Sequence, residues 1–196
     1  EILDEAFELS RHGEKKDWGK EYIERVARHE SGHAYLCFRA GSTPSYLTIE
    51  ARGGHGGYME HADTEDQPLL KKEDLIGRIR TSLGGRAAEL VYYGAADGVS
   101  TGASGDLQNA TQIARAMICS YGMDETIGLM TLTPEEAQKG PMAAVVNERI
   151  NAVLRDEMAR TVELIHSGST TVDRLVERLM VASKLSNEES EEILKD

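Results

Sequence analysis

Apolar residues recur at three- and four-residue spacings through most of the chain, the mark of helices that bury one face. Leu75, Ile76, Ile79, Leu83, Ala87, Leu90 and Val91 predict an amphipathic helix from about Lys72 to Tyr93. Leu107, Ala110, Ile113, Ala114, Met117, Ile118 and Tyr121 line one face of another, which the pattern starts at Asp106 and ends at Gly122. A long helical stretch runs from about Trp18 to Ala40, behind a shorter amphipathic one near residues 2 to 11. Further helices are predicted near Met142 to His166, Val172 to Leu185 and Glu188 to Lys195, the last opened by Ser186 and Glu189 in capping-box spacing. Only SYLTIEA and GGYMEHA alternate as strands do, around a glycine-rich loop beginning at Arg52. The expected fold is therefore mainly α with a small β element, ending in a helical bundle.

Two glycines, Gly84 and Gly85, interrupt the middle of the 72–93 helix. Each costs about 1 kcal/mol relative to alanine, so they are expected where another backbone comes close.

With 196 residues and 40% apolar content, the chain can bury one domain-sized core. A net charge of -12 argues against nucleic acid or an anionic membrane as its main partner. No GxxxxGK[ST] loop is present, which excludes ATP hydrolysis by that device. Cys37 and Cys119 both fall inside apolar helical patterns and are expected to be reduced, buried side chains. No apolar run approaches the roughly 18 residues that a membrane span needs, so this chain is expected to be soluble. The opening EILDEAFELSRHGEKK, without an initial Met, reads as the tail of a preceding module and a charged linker. On this reading residues 1–17 are appendage and residues 18–196 form the functional domain.

Chemistry enters on the long second helix, where His29-Glu30-Ser31-Gly32-His33 matches HExxH. Residues four apart on an α-helix lie about 40° from each other, so both imidazoles project from one face and can share a metal. Two imidazoles and a carboxylate suit zinc and leave a fourth position for water, although iron, cobalt or nickel accept the same donors. Glu30 stands where a general base would take the proton of an attacking water and pass it to a leaving amine. The expectation is a zinc-dependent peptidase.

A third ligand is required, and the helix beyond His33 offers none, because no further acid or histidine follows before Glu50. Candidates are His55, His61, Glu89, Asp97 and Asp106. Asp106 is favoured, since it would open a helix whose apolar stripe faces the core and whose N-terminus favours a carboxylate. Glu89, at the edge of its helix's apolar stripe, is the runner-up, or else an acceptor that orients a ligand histidine.

HESGH, LGGRAAELVYYG and STGASGDL, followed by the helix QNATQIARAMICSYGM, resemble in order and spacing the peptidase domain of the FtsH family of AAA proteases over residues 22 to 130. The resemblance implies that His29, His33 and Asp106 bind zinc, that Glu30 is the catalytic acid and base, and that Glu89 lies near the site. It also implies polypeptide substrates, unfolded or membrane-derived, delivered by an AAA ATPase module. Further implications are a homo-hexameric ring and, for the full-length protein, membrane attachment on the cytoplasmic side of a bacterial inner membrane. Family members usually carry HEAGH and GASND where this chain has Ser31 and Gly105, neither of which is a ligand. ARGGHGGYMEHAD stands where the family has a substrate-edge strand; His55 and His61 there either touch substrate or are surface residues of a loop. The competing expectation is a catalytically silent ring-forming or peptide-binding module that keeps zinc as a staple; hydrolysis of a small amide by the same ligands is a third.

Overall fold

A computed structural model describes residues 19–50, 57–61 and 69–196. The expected helix near residues 2 to 11, the linker after it and His55 lie outside these residues. The elements in chain order are α1 (Lys20–Arg39), β1 (Pro44–Thr48), β2 (Tyr58–His61), α2 (Lys72–Asp97), α3 (Ser104–Cys119), α4 (Pro134–Lys139), α5 (Ala143–Ser167), α6 (Ser169–Ala182), β3 (Lys184–Ser186) and α7 (Asn187–Lys195). Among the described residues no helix is long and apolar enough to cross a membrane.

The helix α1 is the centre of the molecule, packed by α2, α6 and β1. Every residue from His29 to Cys37 is buried, so the segment that carries the histidines runs through the interior of the molecule. Leu36 joins Leu47, Ile165, Leu175, Leu179 and Leu185 in one core, built with α6 and the sheet. A second core lies where the first half of α2 meets α3 and α5, around Ile79, Leu83, Ala114, Ile118, Val146 and Ile150. Met158 of α5 packs on both.

Three antiparallel strands form the sheet in the order β2-β1-β3, with Leu47 of β1 opposite Met59 on one side and Leu185 on the other. The strand β3 falls where the periodicity extends a helix to Leu185. That helix, α6, stops at Ala182 because Ser183 takes a left-handed φ of 62°, and the next residues pair with β1 instead. The Ser186–Glu189 capping box then opens α7 as expected. The short helix α4 is absent from the periodic pattern; it is carried by a capping box of Thr133 and Glu136 with proline in its first turn.

Other boundaries shift by a few residues. The helix α2 continues to Asp97 across a break at Gly94, whose φ of 74° no helix interior adopts. The helix α3 starts at Ser104, which places Asp106 within its first turn. It ends at Cys119, and Gly122 follows in the left-handed region at φ 61°. Cys37 and Cys119 are free and buried.

Candidate active site

The crossing of α1 and α2 is unusually close because glycine occupies both sides of it. A Cβ on Gly32 would overlap the carbonyl of Gly84, and one on Gly84 would come within 2.7 Å of the carbonyl of Gly32. A Cβ on Gly85 would overlap the imidazole of His29. Gly84 therefore admits a backbone, as expected, while Gly85 makes room for the side chain of His29.

In that space the two histidine rings stand edge to face, with centroids 4.8 Å apart. Asp106 reaches them from the first turn of α3. Its Oδ2 lies 3.3 Å from Nε2 of His29 and 3.4 Å from Nε2 of His33, and the two Nε2 atoms are 3.1 Å apart. Around a tetrahedral ion with ligand bonds of 2.0–2.2 Å, neighbouring donors are separated by about 3.3 to 3.6 Å. The three atoms thus span close to one face of a zinc-sized tetrahedron. Among the described residues this is the one group of histidine, cysteine and acidic side chains so arranged.

Hydrogen bonds at the other ring nitrogens fix how the donors point. Nδ1 of His33 is 2.7 Å from the carbonyl oxygen of Thr81, which can only accept, so Nδ1 carries the hydrogen and Nε2 turns a lone pair into the site. Nδ1 of His29 donates to Oε1 of Glu89 at 3.2 Å. Glu89 is 1% exposed and holds this position through Arg86 and Ser100. It faces the opposite ring nitrogen from Asp106, and so lies outside the converging trio while supporting one of its members.

Electrostatics follow from this burial. Desolvation alone would push His29 down, but the hydrogen bonds to Asp106 and Glu89 outweigh it and raise its pKa to about 10. Desolvation would raise both acids; the facing imidazoles and Ser100 reverse that, holding Glu89 at about 2 and Asp106 well below the usual carboxylate range.

The trio lines a cleft of about 330 Å³ together with Glu30. Tyr58 and Met59 of β2 border it on one side, and Ser82 and Asn109, hydrogen-bonded at 2.8 Å, on another. Glu30 packs beside Gly57, where a Cβ would sit 3.2 Å from its Cγ.

Two of the remaining candidates fall on described elements. Asp97 is exposed at the end of α2 and stands apart from the trio. His61 ends β2, opposite Pro44 in register. The supporting roles of Thr81 and Ser100 have no local sequence signal: Thr81 acts through its carbonyl, and Ser100 acts only after α2 and the loop before α3 have come together, whereas Arg86 pairs with Glu89 at the local i,i+3 spacing of α2.

A family model described as Peptidase family M41 matches residues 19–193. The chain is similar to the ATP-dependent zinc metalloprotease FtsH of Trieres chinensis, 33% identical over 184 residues covering 86% of this chain and 28% of the relative. It is also similar to proteins of the same description from Streptococcus pneumoniae, at 34% identity over 80% of this chain, and Ruminiclostridium cellulolyticum, at 32% over 100%. The chain spans 26% and 34% of the length of those two relatives. Since the family match takes in every element that builds the cleft, from α1 to the C-terminal helices, the chain belongs to peptidase family M41.

Proposed function

We propose that this chain is a zinc endopeptidase in which His29, His33 and Asp106 hold the metal and Glu30 is the general base. The observation that carries the reading is the convergence of two Nε2 atoms and one Oδ2 atom, 3.1 to 3.4 Å apart, in a cleft that Glu30 also lines. Zinc at that point supplies Lewis acidity toward a peptide carbonyl and water acidified to near neutrality. Glu30 accepts the proton of the attacking water and returns it to the leaving amine. His33, locked by Thr81, and His29, locked by Glu89, keep their lone pairs aimed without reorganisation during the reaction. The strand β2, outermost in the described sheet, borders the cleft and offers its edge to an extended polypeptide.

The relatives' names describe ATP-dependent proteases, and this chain spans about a third or less of the relatives compared. We therefore place an ATPase module, a homo-hexameric ring, membrane attachment on the cytoplasmic face and unfolded polypeptide substrates with the whole protein, as part of the same proposal. The polar, open cleft favours catalysis over a purely structural zinc, because structural sites close their fourth position. Glu30→Gln tests the reading. It is expected to keep one equivalent of zinc and a peptide hydroxamate's affinity for the site, while hydrolysis of unfolded casein falls by roughly a hundredfold or more. Casein cleavage by Glu30→Gln at the wild-type rate would remove Glu30 from the mechanism, and failure of the wild type to bind the hydroxamate would favour the silent module.

A further inference from the structure

The carboxylate of Glu89 receives more donors than its contact with His29 requires, and Ser100 supplies two of them. The Ser100 hydroxyl donates to Oε1, the same oxygen that accepts from His29, and the Ser100 amide donates to Oε2 at 3.3 Å. Gly102 N–H donates to the Ser100 Oγ at 3.1 Å, which occupies an acceptor position and leaves the hydroxyl hydrogen for Glu89. Arg86 closes the cluster, giving Nε–H to Oε2 at 3.1 Å and Nη2–H to the Ser100 carbonyl at 2.6 Å. The loop is also tied to α1, since Arg25 Nη1 donates to the carbonyls of Asp97 and Gly98 at 3.1 and 3.2 Å.

This pattern has a directional consequence. The terminal torsion of a glutamate is broad, so a buried carboxylate keeps one orientation only when both oxygens are held. Arg86 and the Ser100 amide hold Oε2. Oε1 accepts from His29 and the Ser100 hydroxyl, so without that hydroxyl no donor independent of His29 fixes the oxygen that aims the ring. Ser100 lies on the loop that runs directly into α3 and Asp106.

We infer that Ser100 is a positioning residue: through the Glu89 carboxylate it sets the aim of His29 at the metal, and it thereby couples the Asp106-bearing loop to the first histidine. The inference rests on the reading that His29, His33 and Asp106 hold zinc. Neighbours that orient a metal-bound histidine typically contribute roughly ten- to hundredfold in metal affinity.

The test compares wild type, Ser100→Ala, Ser100→Thr and His33→Ala. The zinc Kd is measured by competition with a chromophoric chelator at fixed pH, the visible spectrum with cobalt(II) in place of zinc, and the thermal unfolding of the metal-free chains. Ser100→Ala is expected to weaken zinc roughly ten- to hundredfold and to alter the cobalt bands, while Ser100→Thr, which keeps the hydroxyl, restores both. Wild-type Kd and cobalt spectrum in Ser100→Ala overturn the inference. So does a loss of affinity that Ser100→Thr fails to restore, or one that only follows a loss of metal-free stability. If the wild type binds zinc no more tightly than His33→Ala, the zinc assignment itself fails; tight wild-type binding separates that outcome from a failure of the Ser100 inference alone.

Discussion

Ser31 occupies the variable place of the HExxH helix, where the resembling family usually has alanine. It is completely buried and its hydroxyl has no partner among the described residues. A buried hydroxyl without a hydrogen bond costs stability, whereas a methyl of similar shape does not. Ser31→Ala is therefore expected to raise unfolding free energy by about 1 kcal/mol, read from urea denaturation, with no change in zinc Kd. A destabilised Ser31→Ala would mean that the hydroxyl has a partner after all. At this scale the sequence marks which residues can do chemistry: His29, Glu30 and His33 stand out by type and spacing alone. It is silent on Thr81, whose contribution is a carbonyl common to every residue.

At the scale of elements, the decisive feature is the contact between α1 and α2. The glycine pair in an otherwise regular amphipathic helix is legible as a site of close approach, yet nothing local says that one glycine meets Gly32 and the other meets the ring of His29. These neighbours predict different outcomes. Gly84→Ala pushes against the backbone of α1, which cannot yield, and is expected to cost about 2 kcal/mol or more in urea denaturation. Gly85→Ala pushes against a side chain and is expected to weaken zinc by at least about tenfold, because the imidazole must leave its aimed position. Equal effects of the two on zinc Kd would contradict this division. The same limit explains β3: Leu185 continues the apolar spacing of α6, and only its pairing with β1, far away in the chain, turns it into a strand.

For the whole molecule, the proposed metal joins helices that are distant in sequence, since His29 and Asp106 lie 77 positions apart. Ligand present at a thousandfold over Kd stabilises by about 4 kcal/mol, so removing zinc with a chelator is expected to lower Tm by about 10 °C. The gap is also expected to depend on pH. In the metal-free chain the pKa of His29 is raised to about 10, above its unfolded value of about 6.5. Its protonation therefore stabilises that fold fully below about pH 6.5, and the contribution is lost as pH rises toward 10. Zinc requires the neutral ring, so its affinity rises over the same interval. The Tm difference between zinc-loaded and metal-free chains should widen between pH 6.5 and 9; a constant or shrinking difference would show that His29 is not the proton released.

The sequence by itself determined the mainly helical class, the helix faces, the pair of histidines with their acid, and a short roster of possible third partners. These are properties of residue type and of spacings within one or two helical turns, which the chain states locally. Among Glu89, Asp97 and Asp106 it expressed a preference, but only the tertiary structure decided where each one faces. That choice depends on how α2 and α3 dock on α1, which is set by two separate apolar cores and by glycines that let backbones touch. Convergence of three side chains within hydrogen-bonding distance is a long-range outcome of packing, and no local pattern contains it.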